Sequence, residues 1–484
     1  MTIHDLPTDR RISGTRLRAV LGAWQRSGPQ YVALADALRA AVLSGAIPLS
    51  TRLPSERELA EAVEVSRTTT TATYGLLRDE GYVVSRRGSG TVTTLPDGPG
   101  QSARFVALGS TEDLVDLTIA APSAPSCLHG AYLAALDSLP RHLESNGYAS
   151  TGLPALREAI AAWYERRGTP TTPDQILVTT GAQQAIHLLT SAHAGPGDRV
   201  VVEHPTYPHA IEAVRATGAR PVPVPSGLDG LDVDLLESTL RQSAPRMVYL
   251  IPDHRNPTGT SLSDDERERV RGLARRHRTL IVGDEVLTEL TLDGPVPAPF
   301  AGDGSSSGHV VSIGSASKAF WGGLRVGWVR AHPDLVARLA TTRGYMDIAT
   351  ALLEQLVVLQ LLTTQDGTLD RRRAELRARR DLVVELVRDR LPEWDVPVPR
   401  GGLALWVDLG APVSSALAAL SPRHGVRIAP GPAFAVDGSF ERNVRIPFSE
   451  TPETLTRAVD GLAGAWASLG AVAPGPSQPS RMVV

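Results

Sequence analysis

SIGSASKAFWGGLRVGW, residues 312–328, contains Lys318, and no second lysine occurs among the 484 residues. Lysine and arginine together number 49, so 48 of the cationic side chains are arginine. A lone lysine is ordinarily a surface charge, yet a chain that uses arginine wherever a cation will serve has kept this one. Its neighbours give the reason. Ser315 and Ser317 precede it, Gly322-Gly323 follow, and Arg325 lies seven residues on. A guanidinium stays protonated and is a poor nucleophile, so it cannot replace an amine that must condense with a carbonyl. Hydroxyls and an arginine beside that amine suit a phosphate dianion.

An aldehyde that carries a phosphate meets both demands, which points to pyridoxal 5′-phosphate and its Schiff-base lysine. The other parts of such a site can be sought independently. The pyridine nitrogen needs a carboxylate, and TLIVGDEVL supplies Asp284 just after an apolar run. The ring needs a flat partner, and VVEHPTYPHAI supplies Tyr207. The phosphate needs amides at a helix start, and VTTGAQQAIHLL supplies Gly181-Ala182-Gln183. The phenolic oxygen needs a donor, and NPTGT supplies Asn256 in a turn. Each string alone is weak, but their succession at the ends of predicted strands is strong.

Around these motifs, helical patterns such as GLPALREAIAAWYERRG alternate with short apolar runs: QILVTT, DRVVVEH, RMVYLIP, TLIVGDE and HVVSIGS. The alternation predicts an α/β domain on a mostly parallel sheet. From about residue 372 the pattern returns to Arg-rich helices and strands such as GGLALWVDL, a smaller C-terminal α+β subdomain.

The first hundred residues differ in charge. Between residues 10 and 95 there are twelve arginines against seven acids, although the whole chain carries only −3. Residues 30–94 predict three helices and a hairpin. QYVALADALRAAVLSG ends at Gly45, LPSERELAEAV starts on Pro54 and Ser55, and VSRTTTTATYGLLRDEG is capped by Ser66. Four successive threonines are poor helix-interior residues but suit the first turns of a helix that meets phosphates, with Arg67 beside them. YVVSRRGSGTVTT then gives two strands around a basic tip, Arg86-Arg87-Gly88-Ser89-Gly90.

Residues 51–94 resemble the winged helix-turn-helix of the GntR regulator family. That resemblance implies DNA contacts from Arg57, Ser66, Arg67, Thr68, Thr69, Arg86, Arg87, Gly88 and Gly90. From about 112 to 470 the chain resembles fold-type I aminotransferases, through YASTGLPALREAIAAWY, GAQQAI, EHPTYP, NPTG, GSASK with GLRVGW, RIAPGPAF and NVRIPFS. Carried onto these positions, Lys318 bonds the cofactor and Asp284 pairs with the pyridine nitrogen. Tyr207 stacks and Asn256 meets the phenolic oxygen. Ala182, Gln183, Ser315, Ser317 and Arg325 hold the phosphate, Arg445 clamps an α-carboxylate, and Tyr148 reaches a neighbouring subunit's phosphate. The family's tyrosine two or three residues after the aspartate is missing, since Val286 and Leu287 stand there; turnover is therefore in doubt while cofactor binding is not. His254 and Arg255 in PDHRNPTG either touch the ligand or hold the turn.

A GntR head on an aminotransferase-like body resembles the MocR subfamily of transcriptional regulators. The expected layout is an N-terminal extension (1–29), winged helix-turn-helix (30–94), linker (95–112), pyridoxal-phosphate body (113–470) and disordered tail (471–484). The expected protein senses the cofactor or a small amino compound, binds operator DNA as a head-to-tail homodimer, and holds no metal. A working aminotransferase with an accessory head is the alternative, and a scaffold that has lost its cofactor is a third reading that the retained lysine opposes. A single cysteine, Cys127, fits a reducing cytoplasm, and no signal core or long apolar run predicts a membrane span.

Overall fold

The structure is a computed structural model that describes residues 11–22, 24–25, 29–43, 46–47, 51–86, 90–94, 114–302, 308–364 and 367–472. The N-terminal unit contains α1 (Gly14–Leu21), α2 (Gln30–Leu43), α3 (Glu56–Val63), α4 (Arg67–Asp79), β1 (Val83–Arg86) and β2 (Gly90–Thr93). Ser55 and Glu58 form a reciprocal capping box at the start of α3, and Ser66 caps α4. The threonine run survives inside α4 because its hydroxyls cross-brace the unit. Thr70 donates to the carbonyls of Arg67 and Glu56, and Thr73 to those of Thr69 and Tyr31. β1 and β2 pair antiparallel from Val83↔Thr93 to Arg86↔Gly90.

One element lies upstream of the expected head. The pattern of residues 1–29 predicts only an extension, but Leu17 and Leu21 of α1 pack in the same core as Leu34, Leu38, Leu59 and Leu77. The helix is short and strongly charged, so its periodicity gives no warning.

The body opens with β3 (Val115–Asp116), α5 (Leu128–Ser138) and α6 (Pro154–Arg166). It continues through β4 (Ile176–Thr179), α7 (Ala182–His193), β5 (Arg199–His204), α8 (Pro208–Ala216), β6 (Arg220–Gly227) and β7 (Gly230–Leu231). Next come α9 (Val233–Ser243), β8 (Met247–Leu250), α10 (Asp264–His277), β9 (Leu280–Asp284), β10 (Val310–Ser315), α11 (Ala316–Ala319) and β11 (Gly327–Arg330). Among the described residues these strands form one eight-stranded sheet in the order β4-β11-β10-β9-β8-β5-β6-β7. The pairs from β10 to β6 are parallel, and β11 runs antiparallel to both its neighbours, so β4 points the same way as β10. The ends of β4, β5, β8, β9 and β10 therefore converge on one edge, where an open α/β sheet places its ligands.

The chain then forms α12 (Pro333–Arg343), α13 (Leu352–Thr363), α14 (Thr368–Arg390), β12 (Ala404–Asp408), α15 (Ser414–Leu420), β13 (Val426–Arg427), β14 (Ala429–Pro430), β15 (Asn443–Pro447) and α16 (Pro452–Val472). β12, β15 and β14 make a separate antiparallel sheet, and β13 pairs parallel with β3 at the other end of the body. Val115 and Leu117 thus belong to the core of the C-terminal subdomain, with Val383, Leu405, Ile446 and Leu462. The head rests on that subdomain too: Ala416 and Leu420 of α15 and Leu469 of α16 complete its hydrophobic core. The expected linker and all but the first two residues of the expected tail lie outside the described residues, and among the described residues no helix is long and apolar enough to cross a membrane.

Candidate functional site

Lys318 sits on α11, the single turn that follows β10, and Ser315 caps that turn by accepting from the Ser317 N–H at 3.1 Å. Its Nζ donates to the Ala120 carbonyl at 2.6 Å, and among the described residues it forms no ion pair with a carboxylate. Burial, with Arg445 and Arg325 nearby, depresses its pKa to about 8, and Asp284 opposes the shift. The amine is therefore neutral far more often than a surface lysine's.

Beside it lies a cradle of donors. Gly181 has φ +82 and precedes the twelve-residue α7, whose free amides face the sheet edge. A Cβ at Gly181 would lie 2.5 Å from Arg325 Nη2, so glycine lets backbone and guanidinium approach. Arg325 donates to the Thr180 carbonyl at 3.2 Å and has no acidic partner among the described residues. Gln183 Oε1 is buried without a partner, and the Ser315 and Ser317 hydroxyls lie 3.0 Å apart. Oxygen-rich anions satisfy the amides, hydroxyls and guanidinium of this set, whereas Gln183 Oε1, an acceptor, calls for a donor instead.

Asp284 ends β9, buried, and accepts from Tyr249 Oη at 2.7 Å and from the Val286 N–H at 3.1 Å. Burial outweighs these bonds and leaves its pKa raised. Tyr207 occupies the position just before α8, after β5, without a side-chain capping bond; burial first, then Asp284, pushes its phenol up to about 12. Tyr207 Oη lies 2.9 Å from His209 Nδ1, and His209 in turn feels Lys318 and Arg445.

Arg445 comes from β15 of the smaller sheet. Its Nη1 donates to Asn256 Oδ1 at 3.3 Å, its Nη2 to the Thr118 carbonyl, and its guanidinium lies 5.0 Å from the Phe434 ring centre. Nε is buried without a partner, and no carboxylate neutralises the group among the described residues. Desolvation lowers its pKa to about 10. An enclosed guanidinium without an acid is costly, and a ligand carboxylate is the natural remedy.

Lys318, Asp284, Tyr207, Asn256, Arg325 and Arg445 are thus brought together, with Ala182, Gln183, Ser315 and Ser317 at the cradle. His254 and Arg255 have structural partners. Arg255 forms a buried ion pair with Glu203, and His254 Nε2 lies 2.8 Å from Thr291 Oγ1, its burial lowering its pKa to about 4. Tyr148 is 68% exposed, and among the described residues no hydrogen bond joins its side chain to this cluster. Val286 and Leu287 pack against the two flanking cores. Tyr249, His209 and the segment carrying Thr118 and Ala120 escape sequence reasoning, the last because it contributes only backbone carbonyls.

In the head, Arg67 and Thr68 are exposed at the start of α4, and Thr69 is half-buried, its hydroxyl 2.8 Å from the exposed Ser66 Oγ. Arg57 is exposed and pairs with Glu61 at 3.0 Å. Gly90 has φ +80 at the hairpin. The Arg86 side chain, Arg87 and Gly88 lie outside the described residues.

Comparison with known proteins separates the same two parts. Residues 115–462 match Aminotransferase class I and II, and residues 30–92 match Bacterial regulatory proteins, gntR family. The probable rhizopine catabolism regulatory protein MocR of Rhizobium meliloti is 31% identical over 396 residues, 76% of this chain and 78% of that protein. Aromatic-amino-acid aminotransferase 1 of Thermococcus litoralis is 30% identical over 326 residues, 64% of this chain and 77% of that protein. The crystal structure of an α-aminoadipate aminotransferase from Thermus thermophilus, complexed with N-(5′-phosphopyridoxyl)-L-leucine, is similar with a TM-score of 0.69 and 28% identity, covering 74% of this chain and 94% of that one.

Proposed function

This chain belongs to the class I and II aminotransferase family and carries a gntR-family head in the MocR arrangement, and on that premise we propose that it is a cytoplasmic, DNA-binding transcription regulator that senses pyridoxal 5′-phosphate, an amino compound, or both through Lys318. The observation that carries the reading is that Lys318 and Arg445, both enclosed, have no acid of their own among the described residues. The cradle at Gly181, where the backbone and the Arg325 guanidinium approach closely beside the start of α7, suits the cofactor's phosphate.

Pyridoxal 5′-phosphate supplies an aldehyde that condenses with a primary amine and a ring that withdraws electrons. The remaining roles fall to this chain. Lys318 offers an amine that is about one-tenth neutral at pH 7. With the cofactor bound, Asp284 would keep a proton at the ring nitrogen, Tyr207 would pack on the ring, and Asn256 would serve the phenolic oxygen. Ala182, Gln183, Ser315, Ser317 and Arg325 would hold the phosphate. Arg445 receives an effector carboxylate, and the loss of a phenol at Val286 and Leu287 favours sensing over turnover.

Regulation needs a ligand that distinguishes two arrangements of the molecule. α15 is placed to feel both ends. Its Ser414 Oγ accepts from the Gly431 N–H, at the start of the turn that carries Phe434 beneath Arg445, while Ala416 and Leu420 pack into the head. Arg67, Thr68 and Arg57, with the hairpin tip, meet operator DNA; Ser66 and Thr69 shape the helix start. Exposed Leu133, Leu136, Leu143, Tyr148, Tyr345 and Ile348 support association with a second copy, as a head-to-tail homodimer in which Tyr148 reaches the partner's site.

The test is to titrate the purified full-length chain with pyridoxal 5′-phosphate and then a panel of amines. Visible absorbance is followed for the wild type and Lys318→Ala, beside gel shifts on upstream DNA. The expected result is absorbance only in the wild type, and DNA affinity that changes with the amine. Absence of the band removes the cofactor reading. Many turnovers on a 2-oxo acid acceptor replace the regulator with an aminotransferase bearing an accessory head.

A further inference from the structure

Tyr249 lies on β8, four residues buried throughout, and from sequence it reads as core. Its ring does pack there, among Val202, Ile251 and Val282. The sheet register decides what its hydroxyl does. β8 and β9 are parallel neighbours with Tyr249 opposite Val282. Side chains two apart on a strand share a face, so Tyr249 and Asp284 are diagonal neighbours on one side of the sheet. The phenol closes that diagonal, donating to Asp284 Oδ2 at 2.7 Å. Asp284 Oδ1 accepts the Val286 N–H at 3.1 Å. A carboxylate offers about four acceptor positions, so two remain after these bonds.

We propose that Tyr249 is a positioning residue that fixes the rotation of Asp284 and holds it ionised for the cofactor's ring nitrogen. The inference rests on the pyridoxal-phosphate reading. A phenol is missing at positions 286 and 287, and one reaches the site from the adjacent strand instead, acting on the aspartate. Burial drives Asp284 toward its neutral form, and Tyr249, Val286 and Lys318 oppose that drive. Burial and the neighbouring Asp284 hold the Tyr249 phenol protonated well above its ordinary range, so it remains a donor at neutral pH. Val286 supplies a fixed backbone donor and Lys318 acts through its charge, leaving Tyr249 as the side-chain hydrogen-bond donor in this balance.

Tyr249→Phe keeps the ring and removes only the donor. Full-length wild type, Tyr249→Phe, Asp284→Asn and the double variant are titrated with pyridoxal 5′-phosphate, with visible absorbance followed across pH. Loss of one hydrogen bond to a charged group predicts about 10- to 100-fold weaker cofactor retention in Tyr249→Phe, together with a displaced pH midpoint of the absorbance. In the Asp284→Asn background the same substitution should change retention by less than about twofold, because the phenol then meets a neutral amide with no carboxylate to hold ionised. An unchanged affinity and pH midpoint in Tyr249→Phe overturns the inference, as does an equal loss in the Asp284→Asn background. If the wild type itself shows no band, the cofactor reading and this inference fall together; a normal wild type with an indifferent Tyr249→Phe removes the inference alone.

Discussion

Replacing Arg445 with methionine should separate ligand recognition from stability, with opposite signs. The displacement of its pKa from an ordinary 12.5 to about 10 corresponds to about 3 kcal/mol against the charged form in the ligand-free chain. Against that stand a long hydrogen bond to Asn256 at 3.3 Å, a bond to the Thr118 carbonyl and the Phe434 ring. Two such bonds contribute about 1.5 kcal/mol each, so they roughly offset the cost of enclosure. Methionine preserves most of the stem's volume without carrying charge. The ligand-free Arg445→Met chain should therefore unfold within about 1 kcal/mol of wild type, or be slightly more stable. Loss of a charge-paired carboxylate contact costs about 2–5 kcal/mol, which is about 30- to several-thousand-fold in affinity. Denaturant titration of the ligand-free chain gives the first number. Absorbance titration of the loaded chain with an amino acid and with its decarboxylated amine gives the second. Equal losses for the two ligands, or a destabilisation beyond about 2 kcal/mol without ligand, would show that Arg445 is a strut and refute the argument.

Lys318 should make ligand-free stability depend on pH. Its folded pKa of about 8 lies below the ordinary 10.5, so the fold disfavours the charged amine. The penalty applies in full below pH 8 and is relieved as pH rises to 10.5, adding about 3 kcal/mol relative to Lys318→Met in denaturant titrations at the two ends. Cofactor capture follows the folded amine alone, so it should accelerate as pH rises through about 8 and level off above it, read in stopped-flow absorbance. Gly181→Ala places a Cβ at φ +82 and 2.5 Å from Arg325, so cofactor retention should fall about tenfold or more, measured by dialysis of the loaded protein. Arg67→Ala removes an exposed cation from the start of α4 and should weaken operator binding about 10- to 100-fold in gel shifts, while leaving the absorbance titration untouched.

The parts legible in the sequence are those whose chemistry and strand-end position coincide. Lys318, Asp284, Tyr207, Asn256 and the Gly181 turn each follow an apolar run, and the sheet brings those ends together. Tyr249 could not be read this way, because a tyrosine inside a buried strand is indistinguishable from core until the register of β8 on β9 is known. Arg255 and Glu203 are 52 residues apart, and only the fold makes them a pair. The Thr118 and Ala120 carbonyls carry no side-chain signal at all. α1 and β3 were hidden for another reason, being too short to establish a period. Their places depend on Leu17 and Val115 finding cores built by distant segments. The head's seat on α15 and α16 likewise reflects apolar residues that read as an ordinary amphipathic face.

Having one lysine in 484 residues also makes the protein its own reporter. Feeding isotopically labelled lysine during expression marks a single side chain, so a nuclear magnetic resonance spectrum of the intact protein contains one ε-methylene environment without any engineering. That resonance reports the protonation of Lys318, the arrival of the cofactor and the departure of the amine on effector binding. Recorded with and without DNA, it shows whether occupancy of the head is felt at Lys318.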